Sequence, residues 1–359
     1  MKNNEIELKL RLRPDFLSKL PVDLASYECY SQEQQPLINT YYDTPDLALS
    51  RKKSILRIRK IKNHFTLTIK LAGQVTGGLH SHPEYNISLP DDKLDLEALE
   101  NKFSLTLPCK QEELAPLFQT NFTRKLWLIP YRTSKIELAL DEGEIISPRT
   151  PKKDIICELE FELKEGIPTD ILSFVYHFSS NNGAMLSATN KAKRGYWLAL
   201  DEHANMDDYL EKWEQLLALP LYSQVSAILN FEQEVIENAW RLGQEYFCQD
   251  FTRTVKLISA FFNLYAYLTS VEMGQFLTAS LEQLDSEIVQ AFSPTLVNDF
   301  ASFNQYAYQQ IQKIMQEHSQ NRDNSQAIQA LWDWLYCNVQ LKRLIVEMLL
   351  VLSEKNEEK

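Results

Sequence analysis

The first 200 residues contain short segments in which apolar and ionic residues alternate, and this pattern limits what the chain can fold into. Side chains along a strand point to opposite faces in turn, so each segment predicts a strand with one apolar and one ionic face. The first segment reads EIELKLRLR and places Glu5, Glu7 and Lys9 on one face. The same pattern predicts further strands at residues 54–61, 64–71, 84–89, 124–129, 135–140 and 155–164.

Beyond residue 200 the alternation stops, and apolar residues recur at steps of three and four, which is typical of amphipathic helices. This spacing predicts about six helices, at residues 207–219, 224–247, 255–269, 294–316, 325–337 and 339–352. Shorter helices are predicted at residues 14–24, 95–103 and 169–180. We therefore predict an α+β protein with a strand-rich domain over residues 1–201 and an all-α helical bundle domain over residues 202–359.

The net charge of −12 is unevenly distributed along the chain. Residues 1–200 contain 27 Lys and Arg against 26 Asp and Glu, whereas residues 201–359 contain 10 against 23. The acidic second half should repel nucleic acid and anionic lipid, so we expect neither as a partner. An anionic ligand is expected in the first half, where basic residues are concentrated.

Two further features bear on the cellular location. No apolar run approaches the roughly 18 residues that a membrane span needs, and the N-terminus has no apolar signal segment. The five cysteines are scattered without a CxxC or Cys/His pattern, at Cys29, Cys109, Cys157, Cys248 and Cys337. We expect reduced thiols, no zinc site and a cytoplasmic protein.

The ionic faces are sorted by charge, which is unusual for strands that face water. One strand carries Glu158, Glu160 and Glu162 on one face, and another carries Arg57 and Arg59. An open sheet with a solvated ionic face is the simpler alternative. Three adjacent carboxylates repel one another, however, unless a cation holds them.

The second alternative is a closed barrel of about eight strands whose ionic faces point into the lumen. Carboxylates grouped in such a lumen would bind hard divalent cations such as Mg²⁺ or Mn²⁺. Arginine and lysine side chains on the opposite wall would bind phosphate oxygens. This arrangement predicts a small polyanion, held together with a metal, as the ligand.

Several motifs resemble the CYTH superfamily, the triphosphate tunnel metalloenzymes. The segment from Glu5 to Lys9 resembles the ExExK signature of that superfamily. The further matches, in chain order, are YYDTPD, LRIR, TLTIK, GGLHSHPEYN, FTRKLW, IELALDEGEI, CELEFEL and NKAKRGYW. The ordered set is most similar to the two-domain bacterial inorganic triphosphatases.

The resemblance implies an eight-stranded antiparallel tunnel, surrounded by helices, that hydrolyses inorganic triphosphate to diphosphate and phosphate with Mg²⁺ or Mn²⁺. The implied metal ligands are Glu5, Glu7, Asp141, Glu158, Glu160 and Glu162. The implied substrate-binding residues are Lys9, Arg57, Arg59, Lys70, Glu84, Arg124, Lys191 and Arg194. The implied catalytic residues are Lys9, Glu160 and Glu162.

The sequence departs from the family pattern at two positions. Leu126 stands where relatives often have a second basic residue, and His82 stands where they often have arginine. Lys125 lies one step from Leu126, so strand alternation should turn it outward. Both departures reduce the positive charge expected in the tunnel.

Other functions remain open at this stage. The same tunnel serves nucleoside or thiamine triphosphatases and class IV adenylate cyclases, whereas a non-catalytic phosphate binder would have no use for clustered carboxylates. An RNA 5′-triphosphatase is disfavoured by the acidic second half. That half has only two histidines and few basic residues, so we expect it to act as a scaffold, homodimer contact or protein-partner surface and not to bind polyphosphate.

Overall fold

The strand-rich part of the chain folds into a closed antiparallel barrel. The computed structural model describes residues 4–31, 34–178 and 181–357. The strands are β1 (Asn4–Leu12), β2 (Tyr30–Ser31), β3 (Gln35–Asp43), β4 (Ile55–Ile61), β5 (His64–Lys70), β6 (Gln74–Thr76), β7 (Leu79–Leu89), β8 (Ala115–Tyr131), β9 (Ser134–Ser147), β10 (Thr150–Glu165) and β11 (Ala184–Leu186).

Eight of these strands form the barrel, in the order β1-β10-β9-β8-β3-β4-β5-β7, and β7 pairs with β1 to close it. The three short strands β2, β6 and β11 extend the sheet by pairing with β8, β7 and β1. The closed barrel confirms the predicted fold class.

The strand register places the ionic residues on one continuous inner surface. Glu7 on β1 lies opposite Glu162 on β10, and Glu162 lies opposite Glu137 on β9. Two residues further along, Lys9 lies opposite Glu160. Because directly paired residues share a face, these side chains point into the same lumen.

The intervening apolar residues face outward and are covered by helices. Leu8, Leu10 and Phe161 are fully buried there, and the ring of Phe161 packs edge-on against Phe174. Leu56, Leu67 and neighbouring residues are covered elsewhere by a second apolar cluster. The barrel therefore has its apolar side outside and its ionic side inside, as predicted.

The helices are α1 (Pro14–Leu17), α2 (Leu20–Leu24), α3 (Ala48–Arg51), α4 (Leu96–Phe103), α5 (Pro168–Phe178), α6 (Lys191–Leu200), α7 (Tyr209–Leu217), α8 (Leu221–Cys248), α9 (Phe251–Leu268), α10 (Val271–Glu282), α11 (Ser286–Phe292), α12 (Leu296–Asn321), α13 (Asn324–Leu335) and α14 (Asn338–Glu357). Helix α8 is interrupted at Gly243, whose backbone is not helical. In the part of the chain that the structure describes, no helix is both long enough and apolar enough to pass through a membrane.

Helix α6 packs against β8, β9 and β10 and brings basic side chains to the barrel. Its first residue, Lys191, follows Asn190, whose side chain accepts a hydrogen bond from the backbone N–H of Lys193. The helix approaches β8 closely at Gly195, because a Cβ there would lie 2.1 Å from the ring of Phe118. Gly195 therefore fixes how near Lys191 comes to the lumen.

The helices α7–α14 pack against the barrel through one contiguous apolar core, which includes Leu8 and Phe161 of the barrel and Val346 of α14. A glycine permits one of these contacts: Gly77, at a φ of 57°, lies beside the side chain of Met348. The last strand, β11, ends at Leu186, and only helices follow it in the described residues. That residues 1–201 and 202–359 are separate domains stays a prediction.

Most predicted elements are present, usually with longer bounds. The sequence did not predict β2, β3, β6 and β11 as strands, nor α3, α6, α10 and α11 as helices, and the single helix expected at 14–24 is two short ones. Residues 179–180, at the end of the helix predicted for 169–180, lie outside the described residues. Beyond residue 201 the described residues form eight helices where about six were expected.

We predict that Gly195→Ala destabilises the protein by about 1–3 kcal/mol, because the added methyl group would force α6 away from Phe118. Gly274→Ala in α10 is the matched control, since nothing lies closer than 4.0 Å to a Cβ at that position. Alanine should stabilise that helix by up to about 1 kcal/mol. Thermal unfolding of both variants measures the difference, and equal effects would contradict the close approach of α6.

Candidate active site

The barrel encloses a cavity of about 320 Å³, within the size range of small-ligand sites. Its lining is mostly ionic. Eleven residues predicted for the site line it: Glu5, Glu7, Lys9, Arg57, Arg59, Lys70, Glu84, Arg124, Glu160, Glu162 and Lys191. The side chains converge on one enclosed space, so the open-sheet alternative is excluded.

One wall of the cavity is a row of carboxylates. Glu7, Glu162 and Glu137 are neighbours across three strands, and Glu5 lies two residues from Glu7 on the same face. Burial and the nearby charge of Glu7 together raise the pKa of Glu5 to about 7, against the opposing effect of Lys70. Burial also raises the pKa of Glu162. This wall therefore carries more acid than the neighbouring cations neutralise.

Two lysines connect the carboxylate wall with the rest of the site. Lys9 Nζ lies 2.7 Å from Glu7 Oε2 and 2.5 Å from Glu160 Oε1. Lys70 contacts Glu5, and its Nζ lies 3.0 Å from Glu84 Oε2. Burial opposes ionisation of Glu7, but Lys9 and Lys70 outweigh it and lower its pKa to about 2.

The opposite wall contains arginines without carboxylate partners. Among the described residues, no carboxylate lies within salt-bridge distance of Arg57 or Arg59. Arg59 Nε donates a hydrogen bond to Asn39 Oδ1 at 2.9 Å. Burial lowers the pKa of Arg59 to about 10, and the positive charges of Arg57 and Arg124 act in the same direction. Excess positive charge at this wall makes it a site for an anion.

A dense acid–base cluster lies between the two walls. The carboxylates of Asp141, Glu158 and Glu160 have oxygens within 4.8 Å of one another. Lys191 Nζ lies among them, 2.6 Å from Asp141 and 2.8 Å from Glu160, and it also contacts Glu158. Arg124 donates to both oxygens of Asp141 at 2.6 Å and to Glu160 at 2.6 Å. These carboxylates are therefore already neutralised by protein cations.

Three predicted site residues lie behind the cavity wall. Asp141 and Glu158 do not line the cavity, since their oxygens are bound to the basic residues just described. Arg194, predicted to bind substrate, donates to Asp154 at 2.8 Å and to Glu158 at 3.1 Å. All three of its guanidinium nitrogens donate to these carboxylates, so the structure places Arg194 behind the cavity wall, and its role in binding substrate stays a prediction.

Twelve lining residues were not in the predicted site, among them Tyr41, Lys53, His82, Asn86, Glu137 and Lys164. Lys164 could have been found, because it continues the alternation of Glu158, Glu160 and Glu162; its Nζ lies 2.8 Å from Glu162. The sequence pattern did not indicate that Tyr41 faces the lumen, because β3 was not predicted as a strand.

The two departures from the family pattern have different positions. His82 lines the cavity, whereas Leu126 does not. Lys125 is exposed and packs over the ring of Trp127, so it points outward as predicted. Next to His82, the buried imidazole of His80 has no hydrogen-bond partner among the described residues, and burial lowers its pKa to about 4.

The carboxylate wall offers hard oxygen donors to a divalent cation, at Glu5, Glu7 and Glu162 on adjacent strands. Burial raises the pKa of Glu5 and of Glu162, although Lys70 contacts the first and Lys164 the second, so a cation there would stabilise both carboxylates. Among the described residues, however, only Asp141, Glu158 and Glu160 form a group of three whose oxygens already lie within 4.8 Å of one another. The cluster around Asp141 fits less well, because Lys191 and Arg124 already occupy its oxygens.

Comparison with known proteins agrees with this geometry. The CYTH domain of known families matches residues 3–196. The inorganic triphosphatase of Haemophilus influenzae is 35% identical over 348 residues, which are 95% of this chain and 95% of that protein. The chain belongs to the CYTH domain family.

Two solved structures are similar to part of the chain. A putative adenylyl cyclase from Hippeastrum with a dominant triphosphatase activity is 17% identical and covers 54% of this chain and 96% of its own, at a TM-score of 0.40. A putative adenylate cyclase from Bacillus halodurans is 19% identical and covers 54% and 98%, at a TM-score of 0.36.

We predict that Arg59→Met raises the unfolding temperature of the free protein by about 2 °C, because it removes a buried positive charge that repels Arg57 and Arg124. The same change should reduce the stabilisation that added triphosphate gives to the wild-type protein. Lys60→Met is the matched control, since Lys60 is exposed on the other face of β4. Equal shifts in both variants, with and without triphosphate, would contradict the anion site.

Proposed function

We propose that the protein hydrolyses inorganic triphosphate to diphosphate and phosphate inside the barrel, with a divalent cation. The observation that carries this proposal is one enclosed cavity with an acidic wall at Glu5, Glu7 and Glu162 and an unpaired basic wall at Arg57 and Arg59. A polyanion alone would be repelled by the first wall, and a cation alone by the second. A metal-bound polyphosphate satisfies both.

The basic wall binds and orients the substrate in this proposal. Arg57, Arg59 and Arg124 bind phosphate oxygens. They stabilise the negative charge that spreads over these oxygens as the terminal phosphoryl group is transferred to water. The bond between the phosphorus of that group and its bridging oxygen breaks, and diphosphate leaves. Lys70 and Lys191 extend the basic surface along the cavity.

The carboxylates would hold the divalent metal cation, and they also position the neighbouring lysine and arginine side chains. Glu5, Glu7 and Glu162 are the proposed metal ligands, and a bound cation there would neutralise phosphate oxygens and acidify the attacking water. Lys9 and Glu160 are the other proposed catalytic residues. Glu160 accepts from Lys9, Arg124 and Lys191, so it sets the positions of three cations along the substrate path.

Mg²⁺ and Mn²⁺ are the proposed cations, because all the proposed ligands are carboxylate oxygens. We place the enzyme in the cytoplasm, in line with five cysteines that are all free thiols. A homodimer or a protein partner bound through the helical part stays a prediction.

The cavity favours inorganic triphosphate over a nucleotide or thiamine derivative. Its three ring side chains already have neighbours: Tyr41 stacks on Phe118, His82 stacks on His80, and Phe122 lies near the cations of Arg124 and Lys191. A base would therefore lack a free ring on which to stack. Class IV adenylate cyclase activity and nucleoside or thiamine triphosphatase activity remain the alternatives.

A substrate panel tests the proposal directly. Phosphate release should be fastest with inorganic triphosphate, slower with ATP and thiamine triphosphate, and abolished by a chelator. Equal or faster release from ATP would favour a nucleoside triphosphatase. Activity that persists without divalent cations would contradict the metal-dependent mechanism.

We predict that Glu5→Ala abolishes triphosphate hydrolysis without unfolding the barrel, because it removes a proposed metal ligand. Arg57→Ala should reduce the rate by about 100-fold, the usual effect of removing one contact to transition-state charge. Glu142→Ala is the matched control, since Glu142 is exposed on the outer face of β9. Full activity in Glu5→Ala would remove Glu5 from the metal site.

A further inference from the structure

The helical part of the chain contacts a buried arginine at the end of β1. Glu237 Oε2 on α8 lies 2.7 Å from Arg11 Nη2, and the ring of Trp240 lies 3.7 Å from Arg11 Cζ. Both charged residues are buried, and two guanidinium nitrogens of Arg11 have no hydrogen-bond partner among the described residues. Glu237 and Trp240 therefore hold this guanidinium.

Glu237 is itself fixed by the barrel side of the contact. Its Oε1 accepts from the backbone N–H of Ala188 at 2.8 Å and from Ser187 Oγ at 3.1 Å. Ala188 and Ser187 lie between β11 and α6. The carboxylate thus joins α8 both to β1 and to the segment that leads into α6.

Trp240 also contacts a second arginine. Its ring lies 5.0 Å from Arg194 Cζ on α6. Arg11 and Glu158 are register partners on β1 and β10, and Arg194 donates to Glu158. One tryptophan of the helical part therefore contacts Arg194, which donates to Glu158, and Arg11, which is the register partner of Glu158.

From Glu158 the contacts continue into the cavity. Glu158 binds Lys191, and Lys191 binds Asp141 and Glu160. Lys191 and Glu160 both line the cavity, whereas Glu158 and Arg194 do not. If Arg194 moves, Lys191 in the cavity can move with it through two ion pairs, Arg194–Glu158 and Glu158–Lys191.

We propose that Trp240 and Glu237 are positioning residues that set the place of Lys191 in the tunnel through Arg11, Arg194 and Glu158. This inference rests on the proposed triphosphatase function, and it gives the helical part of the chain a role in the reaction. Neither Trp240 nor Glu237 lines the cavity. Because they act through Lys191, we expect them to affect substrate binding and not the activation of the attacking water.

The test compares Trp240→Leu, Trp240→Phe and Glu237→Gln by steady-state kinetics at saturating Mg²⁺. Trp240→Leu and Glu237→Gln should raise the KM for triphosphate by about tenfold with a smaller change in kcat, as expected when one charge-assisted contact weakens. Trp240→Phe keeps a ring beside the arginines and should restore most of the affinity. Glu234→Gln on the same helix is the control, because Glu234 pairs with Lys212 at the surface.

A double-mutant cycle with Lys191→Met separates positioning from general stability. If Trp240 acts through Lys191, adding Trp240→Leu to Lys191→Met should leave KM nearly unchanged. Additive effects, or an unchanged KM in both Trp240→Leu and Glu237→Gln, would overturn the inference. If Trp240→Leu and Glu237→Gln both fail to fold, the positioning role is also overturned, and the contact is purely structural.

Two further measurements separate this inference from the proposed function. Triphosphate binding to the wild-type protein and to Trp240→Leu is measured by calorimetry, and the dissociation constant should rise in parallel with KM. A wild-type protein that does not hydrolyse triphosphate would refute the function. A wild-type protein that hydrolyses it while Trp240→Leu keeps the wild-type KM and dissociation constant would refute only the positioning role.

Discussion

The closed barrel forces ionic side chains into a space with little water, and the rest of the site depends on this constraint. A carboxylate in such a space must find a cation, because burial without one is costly. Lys9, Lys70 and Lys191 meet this need for much of the acid. This compensation is incomplete, because Glu5 and Glu84 share the single cation of Lys70, and Arg59 has no carboxylate partner among the described residues. Uncompensated charge of both signs in one cavity favours a ligand that carries both.

The supporting contacts extend well outside the lumen. Glu160 is held by three basic residues, and one of these, Lys191, is held in turn by Asp141 and Glu158. Such a network positions each group only when every member is satisfied. The helical part contacts this network at Arg194 through Trp240 and holds Arg11 next to it through Glu237, so the barrel and the helices are joined by charged contacts as well as by one apolar core.

The sequence predicted the barrel and most of its lining, because strand alternation determines which side chains share a face. It did not predict that three of these ionic residues, Asp141, Glu158 and Arg194, lie behind the cavity wall. Asp141 and Glu158 lie one lumen-facing position beyond Ala139 and Glu160, about 7 Å further along the strands, where basic residues cover them. Lys191 and Arg194 share one motif and one partner, Glu158, yet three residues of helix separate them by about 4.5 Å, so that only Lys191 also reaches Glu160 and only Arg194 reaches Asp154. These differences arise from tertiary packing, which no local pattern contains. The strand β3 was missed because its segment, QPLINTYYD, lacks a sustained alternation of apolar and ionic residues.

The most direct test is anomalous diffraction from crystals of the protein soaked with Mn²⁺ and a non-hydrolysable triphosphate analogue. The account predicts one or two anomalous peaks beside Glu5, Glu7 and Glu162, with the analogue bridging from the metal to Arg57 and Arg59. Manganese bound among Asp141, Glu158 and Glu160 in place of Lys191, or an analogue bound outside the barrel, would contradict it.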